Sequence, residues 1–147
     1  MVRRNTGSEQ GLDAVIALLD QVNREFAQRF NGSSLTQAQW AALRYYMQHD
    51  EEEATVGNFG TYFRITPSSA SQSTTRLKEK GFIKKVPFKT DARQHHVVVT
   101  AKGRRHLQSD PLHEILEIVD KMKPTQIAGL ASALTDLVNA LVHASVE

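Results

Sequence analysis

Apolar residues recur every three or four positions over residues 11–30, where Leu12, Val15, Ile16, Leu19, Val22, Phe26 and Phe30 trace one face of a helix. Asn31-Gly32 ends it. The next start is marked by Thr36 as cap, by Gln39 three residues on as a capping box requires, and by Leu35 and Trp40 placed as a hydrophobic staple. A helix over 37–48 follows. His49 to Glu53 reads as a solvated acidic connection rather than a carboxylate cluster with chemistry of its own. Val56, Phe59, Tyr62 and Phe63 then predict a short helix within 54–64, although Gly57 and Gly60 each weaken it by about 1 kcal/mol relative to alanine, so tertiary contacts must hold it. Thr66-Pro67 supplies an N-cap and a proline at the first helical position, where the missing amide costs nothing. This predicts a helix over 67–80, ended by Gly81. Ala70 and Leu77 lie on its inward face with Ser73 and Thr74 between them, and Ser68, Ser69, Gln72, Thr75 and Arg76 face outward.

Residues 82–86 and 95–99 read as two strands joined by the polar, turn-like stretch 87–94, which makes a β-hairpin with a long basic tip. Thr100 caps a further helix that carries Leu107 inward, and Asp110-Pro111 looks like a cap and first position that restart or kink it. Leu112, Ile115, Leu116, Val119 and Met122 continue the apolar stripe. A final helix from Pro124 carries Ile127, Leu130, Leu134, Leu137, Val138 and Leu141. The predicted class is mainly α with a small β-hairpin.

Composition narrows the possible functions. A chain of 147 residues, 40% hydrophobic, supports one buried core and is short for two domains. The absence of cysteine excludes disulfides, thiolate metal sites and thiol chemistry, and fits a reducing cytoplasm. The longest strictly apolar run, Ala14 to Leu19, is far short of the roughly 20 residues that cross a bilayer, so no membrane span is expected. Met1 to Gly7 has two arginines but no apolar stretch behind them, and reads as a frayed end rather than a signal peptide. Charge is unevenly placed: from Arg76 to Arg105 ten Lys or Arg stand against two acids, so this segment holds +8 of a whole-chain +2 and the remainder is −6.

The order helix, short helix, turn, helix, β-hairpin is that of a helix-turn-helix with a wing. A polar-faced helix of this kind fits a major groove about 12 Å wide, while a basic hairpin tip reaches the backbone or a neighbouring minor groove. Leu35 to Arg44 (LTQAQWAALR), Ile65 to Gln72 (ITPSSASQ), Arg76 to Ile83 (RLKEKGFI), Asp91-Ala92-Arg93 and Thr100-Ala101-Lys102-Gly103 follow one another in a definite order and spacing. By these segments the sequence resembles, over residues 11 to 145, the MarR (multiple antibiotic resistance regulator) family.

The resemblance implies one MarR-like domain over 1–147, with a winged helix at 35–100 and dimerisation helices at 11–31 and 101–146. It implies a homodimeric repressor of transcription in the cytoplasm, acting on a pseudo-palindromic operator in double-stranded DNA and modulated by a small aromatic or amphipathic effector. Ser68, Ser69, Ser71, Gln72, Thr75 and Arg76 would face the major groove; Lys89 and Arg93 would contact DNA from the wing, and Asp91 would brace the wing through an ion pair. Gln72 stands where the family often has arginine, which shifts the expected base contact toward adenine and an A·T-leaning operator. Ser73 and Thr74 replace a usual bulky apolar pair, and Gly57, Gly60 and Tyr62 replace commoner helix formers.

Dimerisation is assigned to Leu12, Val15, Leu19, Ile127, Leu130, Leu134, Leu137 and Leu141, which give more apolar helix surface than so short a chain easily covers alone. Trp40, Arg44 and Met47 are the effector candidates, with Arg44 placed to meet an anionic group; core burial is the competing reading of the aromatic residues around Trp40. His106 and His113 with Asp110 and Glu114 invite a metal, but Pro111 breaks the helical register, and His95-His96 point to opposite faces of a strand. No metal and no cofactor are expected. No nucleophile-base spacing or phosphate loop supports an enzyme. The alternative from another class is a winged-helix module whose basic face binds an acidic protein.

Overall fold

The computed structural model describes residues 6–145, with side-chain environments from residue 11 onward. Of the end expected to be frayed, Met1 to Gly7, residues 1–5 lie outside the described residues, as do 146–147, whereas Thr6 and Gly7 are helical. The elements run α1 (Thr6–Arg29), α2 (Gln37–Gln48), α3 (Val56–Phe63), α4 (Pro67–Glu79), β1 (Ile83–Pro87), β2 (His95–Val99), α5 (Ala101–Leu107), α6 (His113–Asp120) and α7 (Pro124–Ala144). The mainly α class with one hairpin is what the residue pattern predicts. α1 begins five residues before the predicted boundary, because its first turn is polar and carries no apolar period to read.

The chain divides into two compact units, the first ending at Pro111 and the second starting at Leu112. In the first, α2 is the central element, with Trp40, Ala42, Leu43, Tyr45 and Tyr46 all buried, and it packs against α3, α4, α5 and β2. Phe59, Ala70, Leu77, Phe82, Ile83, Val97 and Val99 complete the core around it. α5 therefore packs with the winged helix, through α2 and β2. α1 instead leaves Leu12, Val15, Ile16, Leu18 and Val22 exposed.

In the second unit, α6 and α7 bury no residue, and Leu130, Leu134, Leu137, Val138 and Leu141 stay exposed. By length and composition α7 is long and apolar enough to cross a bilayer. The strictly apolar runs of the sequence do not show this helix, because its apolar residues are interspersed with Ser132, Thr135 and Asn139.

Candidate nucleic-acid interface

The helix-turn-helix is assembled by local caps. Thr55 Oγ1 accepts the Asn58 amide at the start of α3, and Thr66 Oγ1 accepts the Ser69 amide at the start of α4, with Pro67 at the first position. Between them Arg64 takes a left-handed conformation, φ 54°, to turn the chain. Gly60 lets the two helices close: a β-carbon there would sit 3.3 Å from Ala70 Cβ. The glycine that weakens α3 locally is thus the residue through which α3 meets α4.

α4 separates its two faces as predicted. Ala70, Ser73, Thr74 and Leu77 are buried, while Ser68, Ser69, Ser71, Gln72, Thr75 and Arg76 are exposed along the other side. Thr74, in place of a bulky apolar residue, is fully buried, with its hydroxyl 2.7 Å from that of Tyr46. Burial pushes the Tyr46 phenol up to about 12, with the bond to Thr74 opposing. Arg76 pairs with Glu79 at 3.0 Å, an exposed contact of small energy that a phosphate would readily displace. Gly81, at φ 76°, closes the helix by accepting the conformation a side chain disfavours.

The wing follows. β1 and β2 pair antiparallel from Ile83↔Val99 to Pro87↔His95, and the Val97 amide donates to the Ala54 carbonyl at 2.7 Å, tying the hairpin to the segment before α3. Lys84 and Lys85 on β1 and Lys89 and Arg93 in the tip are all exposed. Asp91 stiffens the tip by a different contact from the one the resemblance implies: its Oδ1 accepts the backbone amide of Arg93 at 3.0 Å, and the Gln94 amide donates to its carbonyl at 3.0 Å. A turn bond of this kind needs no cationic partner, which leaves the Arg93 guanidinium outward. His95 is exposed and His96 buried, on opposite faces as expected.

Behind the wing, Thr100 caps α5 by accepting the Gly103 amide and donates to the Gly81 carbonyl at 2.7 Å, while Lys102 Nζ donates to the Lys80 carbonyl at 2.8 Å. His106 lies between Phe82, 4.4 Å away by ring centres, and Trp40, 4.8 Å away, nearly parallel to both. Burial, with Lys80 and Lys102 adding to it, pushes its imidazole below the usual histidine range. The effector candidates fall apart. Trp40 is 1% exposed and Met47 46%, and Arg44 Nη1 already donates to both oxygens of Asp110 at 2.7 and 2.8 Å. Sequence reasoning takes Asp110 for a helix cap and Arg44 for an effector ligand because the two stand 66 residues apart.

Residues 33–94 match the model of the MarR family. No curated protein matches the chain. Among solved structures it is similar to a MarR family transcription regulator, at 15% identity and TM-score 0.68, over 97% of this chain and 95% of that one. Streptococcus pneumoniae FabT in complex with DNA shows 20% identity and TM-score 0.67 over 92% and 98%. A probable transcriptional regulator from Pseudomonas aeruginosa shows 23% identity and TM-score 0.64 over 85% and 97%. The match over residues 33–94 is to the MarR family, and the fold of the chain is that of the solved MarR family transcription regulators to which it is similar.

Proposed function

We propose that the protein is a sequence-specific DNA-binding repressor that acts as a homodimer on a pseudo-palindromic operator, is modulated by a small aromatic or amphipathic molecule, and works in the cytoplasm without enzymatic activity. The observation that carries the reading is α4, whose six exposed polar residues form one continuous face beside a hairpin that presents Lys84, Lys85, Lys89 and Arg93 outward. A face of hydroxyls, one amide and one guanidinium offers hydrogen bonds to base edges, and the lysines and arginine neutralise phosphates. That a structural neighbour was solved with DNA supports the same use of this fold. The exposed apolar faces of α1 and α7 support a second copy of the chain as partner, since a stripe of this size is unfavourable in water.

Selection of bound duplexes from a random library, followed by titration at several salt concentrations, tests the reading. Phosphate neutralisation makes log affinity fall steeply with log salt. Arg93→Ala is expected to weaken binding to all duplexes and make the slope shallower by about one unit, with sequence preference kept. Gln72→Ala is expected to cost about 1 to 3 kcal/mol on the selected operator and much less on random DNA, with the slope unchanged. Unchanged operator binding in both variants, or no salt-dependent binding at all, would favour a winged helix that docks on an acidic protein.

A further inference from the structure

We propose that the buried hydroxyl pair Tyr46–Thr74 is the positioning contact that sets how the recognition helix α4 is seated on α2, and through it how well the outward face of α4 discriminates bases. The proposal rests on the DNA-binding reading above.

The hydrogen bonds have one consistent direction. Thr74 Oγ1 donates to the Ala70 carbonyl at 2.8 Å. A hydroxyl has a single proton, so in the contact of 2.7 Å between the two side chains Tyr46 must donate and Thr74 accept. The result is a relay from the phenol of α2, through the threonine, to the backbone of α4. Both residues are buried, Tyr46 at 3% exposure and Thr74 at 0%, so water cannot substitute for either partner.

Such a contact does something the surrounding core does not. Ala70 and Leu77 bury apolar area, which is non-directional and tolerates small slides and rotations of a helix. A hydrogen bond at this distance tolerates only a few tenths of an ångström and a limited range of angle. Ala70 also meets α3 closely across Gly60, so α4 is held from α3 at Ala70 and from α2 one turn later at Thr74. Two fixed points on successive turns define both the rotation and the axial position of a helix. Gln72 and Thr75 lie on the opposite face of those same turns, exposed. A helix with its side chains is about 10–12 Å across, so a rotation of about 10° moves an outward side-chain atom by about 1 Å. A bidentate contact to a base edge does not survive that displacement. Buried polar pairs are best attested as devices of register rather than of stability, and this pair stands where its use as such is most direct.

The test compares Tyr46→Phe, Thr74→Val, the double variant and Thr74→Ser. The main readout is the ratio of affinities for the selected operator and a random duplex of equal length at fixed salt. Salt slope and denaturation midpoint are measured in parallel. In Tyr46→Phe the threonine still donates to Ala70, so no buried donor is orphaned and the chain stays folded. Its discrimination ratio is expected to fall about 5- to 30-fold with the salt slope unchanged. The double variant, apolar on both sides, is expected to lose discrimination equally, and Thr74→Ser, which keeps the hydroxyl, to retain it. Folded Tyr46→Phe and double variants that discriminate like wild type overturn the proposal and leave the DNA reading standing. If wild type binds no duplex, the DNA reading falls. Amide hydrogen exchange along 68–76 then decides the positioning contact: faster exchange in Tyr46→Phe supports it, and unchanged exchange overturns it.

Discussion

Gly103→Ala is expected to unseat the wing from the helical core, and the size of the effect follows from the coordinates of one added carbon. A β-carbon at Gly103 would lie 2.2 Å from the Phe82 carbonyl oxygen, 2.8 Å from Val99 Cγ1 and 3.0 Å from the Phe82 carbonyl carbon. Relieving the first of these needs a shift of about 1 Å, in backbone rather than in a flexible side chain. The oxygen that must move also accepts the Thr100 amide at 2.9 Å, and Thr100 is the cap of α5 and the partner of the Gly81 carbonyl. Overpacking costs about 1–3 kcal/mol and an unmade buried hydrogen bond a similar amount, against about 1 kcal/mol gained in helix propensity. The net expectation is a loss of about 3 kcal/mol, a large part of the about 5–15 kcal/mol that holds a domain of this size.

Two other glycines calibrate the reasoning. At Gly57 a β-carbon would meet nothing within 4 Å, so Gly57→Ala is expected to stabilise by about 1 kcal/mol. At Gly60 the 3.3 Å approach to Ala70 Cβ offsets the same propensity gain, and the net change is expected within about 1 kcal/mol of zero. Urea denaturation followed by far-UV circular dichroism measures all three, with a constant m-value showing that the unfolding transition is the same. A Gly103→Ala protein within 1 kcal/mol of wild type, or a Gly57→Ala protein less stable than wild type, would refute the argument.

Asp110→Ala is expected to cost about 3 kcal/mol by denaturation, because it strands the largely buried Arg44 guanidinium; a loss below 1 kcal/mol would show the pair to be incidental. The pKa of His106 is lowered in the fold, so the unfolded chain binds the proton more readily. Stability should be fully present above pH of about 6.5 and decline as the pH falls from there toward the lowered native value, and His106→Gln should flatten that decline; a native histidine resonance titrating above 6.5 contradicts it. Leu134→Glu with Leu141→Glu is expected to give a monomer by light scattering at micromolar concentration and to abolish tight operator binding, and a dimer that persists would remove α7 from the interface.

The winged helix was readable because its signals are local. Thr36 with Gln39, Thr66 with Pro67 and Thr100 with Gly103 each announce a helix within four residues, and each cap bond is present. The split of α4 into buried and exposed faces is equally local, since helical geometry alone decides which residues share a side. What was not readable depends on partners distant in sequence. Gly60 looks like a weak point of its helix until Ala70 is placed beside it, and nothing local to Gly103 reveals its approach to Phe82. Asp110 has the look of a cap and His106 of a metal ligand, and their neighbours turn out to be Arg44, Trp40 and Phe82.

This division bears on how variants of the protein should be read. Residues that would touch DNA, such as Gln72 and Arg93, lie on exposed faces set by local geometry and can be chosen for mutation from the sequence. Residues that would orient those faces are held by contacts across the fold, as Tyr46 and Thr74 are across 28 residues. Tyr46→Phe leaves every exposed polar group of α4 and the wing in place and is expected to change only where those of α4 point. Its signature should therefore be a change in discrimination at constant salt slope, whereas loss of a phosphate contact lowers the slope and spares discrimination. Measuring both quantities for each variant separates the residues that touch DNA from those that aim them.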